Sequence, residues 1–114
     1  MSKFLYLFRG GDASTTKMSP EAMQTHMQKW GAWMQGLAKE NILIDGLPLA
    51  KEGKIVGGKG EVITDGPFAE GKEIVGGYLM VNADSLAKAV EISKGCPILE
   101  FGDGTVEVRE IQNM

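Results

Sequence analysis

The chain has little of several things: one cysteine, one histidine, four prolines and a net charge of only −3 over 114 residues. Each shortage excludes something. Cys96 alone forms no internal disulfide and fits a reducing compartment, so a cytoplasmic location is expected. One histidine and one cysteine without clustered spacing give no metal-ligand set, and no metal is expected. The balance of 12 basic and 15 acidic residues, with no block of like charge, argues against nucleic acid or membrane as a main partner. No apolar run approaches the length that spans a bilayer. Near the N-terminus only Phe4 to Phe8 are apolar, between Lys3 and Arg9, which is not a secretory pattern. Gly57-Gly58-Lys59-Gly60 superficially resembles a phosphate-cradling loop. It lacks the Lys-Ser/Thr ending and a following helix. With no nucleotide-binding glycine fingerprint, no cofactor is expected.

What is present reads as one domain, residues 1–114, with a thin core. Phe4 to Phe8 predicts a strand with apolar residues on both faces, hence one covered on both sides. Ser19-Pro20-Glu21 predicts a helix start: a hydroxyl cap, proline in the first turn and an acid at the positive helix end. Met23, Met27, Trp30, Met34 and Leu37 then mark the apolar face of a long helix reaching about Glu40. Ile42 to Leu49 reads as a short strand or an extended connection. Lys54-Ile55-Val56 and Glu61-Val62-Ile63 flank the glycine-rich turn as a hairpin. Ile74 to Val81 is a second strand with apolar residues on both faces. Asp84 is placed to cap a second helix, which Gly95 and Pro97 stop, the glycine as a left-handed cap. Thr105 to Ile111 alternates as a final strand.

Two helices cover one face of an antiparallel sheet. The other face is left with apolar residues, and a second copy packed sheet to sheet about a two-fold axis is its simplest cover. A homodimer is therefore expected.

The segment Thr64-Asp65-Gly66-Pro67-Phe68-Ala69-Glu70, followed by Gly76-Gly77-Tyr78, carries the most information. Asp-Gly-Pro is strong turn chemistry, and the group also carries an acid and an aromatic. Together with Ser19-Pro20-Glu21, Trp30, Trp33, Ala83-Asp84-Ser85-Leu86, Gly95-Cys96-Pro97 and Val106-Glu107-Val108-Arg109, it resembles the YCII-related proteins. The resemblance is to the branch named for Asp-Gly-Pro-Phe, and it spans nearly the whole chain. It implies an α+β, ferredoxin-like fold, an antiparallel sheet with two helices on one face, dimerising into an α/β barrel. It also implies a His–Asp pair in a cleft as the catalytic element. A small-molecule lyase or isomerase without cofactor is one function it suggests. A ligand-binding or regulatory module linked to sigma-factor signalling is the alternative.

Here the pair falls on His26 and Asp65. Imidazole titrates near neutrality and transfers protons when a carboxylate holds its other nitrogen. A lone histidine at the edge of an apolar stripe otherwise reads as a half-exposed surface residue. Asp65 equally serves the amides of its own turn. Trp30, Gly66, Pro67, Phe68 and Tyr78 are the candidate ligand contacts, against the plainer readings of core packing for the aromatics and backbone shaping for Gly66 and Pro67. Trp30 and Trp33, three residues apart, are expected to place one ring on the core stripe and the other at its rim. Cys96 is expected to be a buried structural thiol.

Overall fold

A computed structural model describes residues 1–11, 17–50, 52–66 and 74–113. Strand β1 (Ser2–Arg9) alternates as its sequence demands: Phe4, Tyr6 and Phe8 are buried while Leu5 and Leu7 are half-buried on the other side. Helix α1 (Pro20–Lys39) follows, then β2 (Leu43–Pro48). A hairpin comes next, β3 (Gly53–Gly57) and β4 (Val62–Gly66), turned by a single 3₁₀ turn at Gly58–Gly60. Strand β5 (Val75–Ala83), helix α2 (Leu86–Ser93), a 3₁₀ turn at Pro97–Glu100 and strand β6 (Thr105–Glu110) complete the chain.

The main sheet is antiparallel with order β2-β5-β1-β6. Without the inserted hairpin, the element order is strand-helix-strand-strand-helix-strand. Together these make the ferredoxin-like α+β fold that the resemblance implies. Register sets the faces. Tyr6 lies opposite both Leu79 and Val108, so these side chains share the helix-covered face. Leu5 lies opposite Met80, and Leu7 opposite Tyr78, which puts these four on the face that no helix covers.

Local chemistry sets the helix ends. The Ser19 hydroxyl accepts the Ala22 N–H at 3.1 Å, and Pro20 opens α1, as expected. Past Glu40, Asn41 takes the left-handed conformation (φ 60°) that releases the chain into β2. Two local expectations are corrected. Ser85, not Asp84, caps α2, its side chain accepting the Lys88 N–H at 3.1 Å. Gly95 is not a left-handed cap, since it is not among the positive-φ glycines. A Cβ there would come within 3.0 Å of the Trp33 indole nitrogen, so its value is the close approach of that ring.

The core lies between the sheet and the two helices, around Phe4, Tyr6, Phe8, Leu79, Val81, Ala89 and Cys96. Tyr6 ties helix to sheet by donating its hydroxyl proton to the Ala89 carbonyl at 2.5 Å. Burial, and secondarily Cys96 beside it, pushes the Tyr6 phenol up to about 12. Burial likewise pushes the Cys96 thiol up to about 12, against a backbone hydrogen bond at Ile98 that lowers it. Cys96 is thus a packing thiol held in its neutral form.

The hairpin is a separate two-stranded sheet. Val56 pairs with Ile63 on one of its faces, while Ile55 and Val62 lie on the other. Val56 is 62% and Ile63 63% exposed. The radius of gyration is 15.6 Å, against about 13 Å for a compact domain of this length. The inserted arm is the element that the ferredoxin-like core does not absorb.

Candidate functional site

One face of α1 looks across the sheet end toward the Pro97–Glu100 turn, and a cavity of about 410 Å³ lies between them. Helix α1 contributes Met23, His26, Met27, Trp30 and Met34 to its wall. The sheet adds Phe8 and Leu79, and the turn region adds Ile98 and Phe101. Strands β2 and β5 supply Gly46, Gly76 and Gly77. A Cβ on Gly77 would lie 3.2 Å from the Leu47 carbonyl oxygen, so β2 and β5 approach closely at the cavity rim because that residue is glycine. The lining is overwhelmingly apolar with few polar groups, the usual make-up of a small-molecule site.

His26 is the polar centre of this wall, and its position corrects the half-exposed reading. It is 5% exposed. The buried stripe of α1 runs through His26, Trp30, Trp33, Met34 and Leu37, whereas Met27 is 57% exposed. The stripe keeps Trp30, Met34 and Leu37 as the spacing predicts and exchanges Met27 for its neighbour His26. Both tryptophans pack against the core, and Trp30 also borders the cavity.

The two imidazole nitrogens face different groups. Nε2 accepts the Trp30 indole N–H at 3.0 Å, one helical turn on. Nδ1 is buried and, among the described residues, has no hydrogen-bond partner within normal length; the Glu100 carboxylate stands 3.7 Å from it. The Phe101 ring packs on the imidazole with centroids 4.8 Å apart. Glu100 is itself held through its other oxygen by the Lys29 ammonium at 2.9 Å. That hydrogen bond, helped by the Lys29 charge, keeps the Glu100 carboxyl below its usual range, while partial desolvation works against it.

The remaining sequence-derived candidates are distributed as follows. Asp65 lies in strand β4, not in a turn, with its side chain 75% exposed and ion-paired with Lys54 across the hairpin. Among the described residues, the carboxylate within 4 Å of His26 is that of Glu100, and Asp65 is not among the residues that line the cavity. Gly66 ends β4 opposite Gly53. Pro67 and Phe68 lie outside the described residues. Tyr78 borders the cavity, but strand alternation puts its side chain on the open face with Leu7, opposite to Gly77 and Leu79.

Glu100, Lys29 and Phe101 are the residues that sequence reasoning missed. Lys29 was detectable, because it lies three residues from His26 on the same helical face. Glu100 and Phe101 carry no local signal that joins them to a helix more than 70 residues earlier.

Among the described residues, no group of three or more His, Cys, Asp or Glu side chains is arranged to hold a metal ion. No helix among them is long and apolar enough to cross a membrane.

The family model for the YCII-related domain matches residues 3–114. Among curated proteins there is no match. Among solved structures, the chain is similar to 5-chloro-2-hydroxyhydroquinone dehydrochlorinase from Burkholderia phenoliruptrix, solved in complex with 2,5-dihydroxybenzoquinone. Identity is 16%, coverage is 100% of this chain and 96% of that one, and the TM-score is 0.49. At that level the likeness assigns neither activity nor ligand.

Proposed function

Since the chain belongs to the YCII-related domain family, we propose that it binds a small molecule in the cavity beside α1 and acts on it by proton transfer at His26, without a cofactor. The observation that carries this reading is a nearly fully buried imidazole in the wall of an otherwise apolar cavity. A buried polar side chain costs stability unless it is paired. His26 meets that cost with one hydrogen bond, and its second nitrogen has none among the described residues. Such an arrangement is retained where the group serves a ligand. The reaction class is acid–base chemistry of the lyase or isomerase type. We assign the chain to the Asp-Gly-Pro-Phe branch on the segment from Thr64 to Glu70, and place it in the cytoplasm.

We further propose a homodimer built on the open sheet face. Leu5, Leu7 and Met80 form an apolar strip there that no helix covers, with the Arg9–Glu107 ion pair beside it.

A specific observation favours a second reading, a ligand-binding or regulatory module. Both nitrogens of His26 are directed at protein groups, Trp30 and Glu100. A histidine so engaged shapes a binding site without turning anything over.

The test is a metabolite screen by thermal shift, followed by turnover assays on the hits. A ligand at 100 times its Kd adds about 2.7 kcal/mol to the folded state and raises Tm by on the order of 10 °C. The proposal requires that His26→Ala lose turnover on the order of a hundredfold or more while the chain stays folded. Binding without turnover would select the regulatory module, and turnover surviving His26→Ala would reject His26 as the proton-transfer group.

A further inference from the structure

We infer that His26 is held as its neutral Nδ1–H tautomer by a relay of side chains, Lys29–Glu100–His26–Trp30, so that a ligand reaches Nε2 only by replacing the Trp30 N–H with a donor of its own. This deepens the reading of the cavity as the ligand site and rests on it for its functional consequence. Its structural part stands independently.

The argument begins with proton counting. An indole nitrogen only donates. Its 3.0 Å contact therefore requires a lone pair on Nε2. A neutral imidazole carries one N–H, which must then sit on Nδ1. Nδ1 faces Glu100 at 3.7 Å, and an ionised carboxylate only accepts. A shift of about 1 Å in an exposed glutamate closes that gap to a charge-assisted hydrogen bond. Lys29 takes Oε1 at 2.9 Å and leaves Oε2 facing the imidazole. His26, Lys29 and Trp30 occupy positions i, i+3 and i+4 of one helix, so α1 presents all three together. The Pro97–Glu100 turn presents the fourth, and Phe101 packs on the ring.

The relay makes Glu100, Lys29 and Trp30 positioning residues. Protonating Nε2 while Trp30 donates to it would oppose two donors, imidazole N–H and indole N–H. A ligand with a hydroxyl or N–H group can take the place of Trp30. Its proton then moves to Nε2, leaving an anion on the ligand and an imidazolium whose Nδ1–H faces Glu100. The ligand class is therefore a small apolar molecule that carries an acidic O–H or N–H.

With one histidine in the chain, the imidazole nitrogens of the full-length ¹⁵N-labelled protein give one set of signals. Long-range ¹H–¹⁵N correlation without ligand should show Nδ1 protonated and Nε2 bare. Glu100→Leu, at an exposed position, should speed exchange of the Nδ1 proton with water by on the order of tenfold. Trp30→Phe should shift the tautomer toward Nε2–H, and Asp65→Asn should change neither. An Nε2–H tautomer in the native chain overturns the relay. So does Glu100→Leu leaving the Nδ1 proton unchanged, or Asp65→Asn moving it. None of these readouts uses a substrate, so the relay fails separately from the proposed activity, which the metabolite screen tests.

Discussion

Raising the pH should destabilise this protein through two groups in its core. Tyr6 is fully buried with its hydroxyl on the Ala89 carbonyl, and Cys96 is 3% exposed. Burial raises the phenol from 10.0 to about 12 and the thiol from 9.0 to about 12. The unfolded chain therefore loses these protons first as pH rises, and stability falls with pH from about 9 up to about 12. At pH 10 the thiol carries the larger part of that loss and the phenol the smaller, together about 2 kcal/mol relative to pH 7. The assay is urea unfolding at pH 7 and pH 10, with reductant present and at fixed protein concentration. In Cys96→Ala the loss between the two pH values should shrink to a minor fraction of its native size, because the larger contributor is gone and Tyr6 loses the neighbour that helps raise it. An equal unfolding free energy at pH 7 and pH 10 in the native chain would refute the reasoning. So would a pH dependence that survives Cys96→Ala at full size.

Other outcomes follow from the packing. Leu7→Glu should convert a dimer to a folded monomer, read by light scattering with helix content by circular dichroism as the control; an unchanged mass removes the open sheet face as the interface. Gly10→Ala should cost about 2 kcal/mol or more in urea unfolding, because φ is +83° and the new Cβ would lie 2.0 Å from the Asp103 carbonyl oxygen. Phe4→Ala, fully buried, should cost about 3–5 kcal/mol. Val56→Thr on the exposed hairpin should stay within about 0.5 kcal/mol by the same assay. A large cost there would mean that the hairpin is covered in solution.

Periodicity and caps determined the framework of this chain. The two-sided strands from Phe4 and from Ile74, the start of α1 at Ser19-Pro20, the hairpin around Gly57–Gly60 and the final strand from Thr105 are each local in origin, and each lies where the residues place it. These signals hold because a strand or helix answers mainly to its own spacing and end chemistry. Tertiary packing decided the rest. One position of α1 is an example: apolar spacing assigns Met27 to the core, but the sheet and the Phe101 turn take His26 instead. A polar residue displaces a methionine there because Trp30 satisfies one of its nitrogens. The histidine's carboxylate neighbour is the other example. The turn motif pointed to Asp65, yet that residue extends along β4 and pairs with Lys54, while Glu100 reaches His26 from a turn after the second helix. A contact between residues 74 positions apart leaves no periodicity to read. It exists only because the sheet order β2-β5-β1-β6 carries the Pro97–Glu100 turn back across the face of α1.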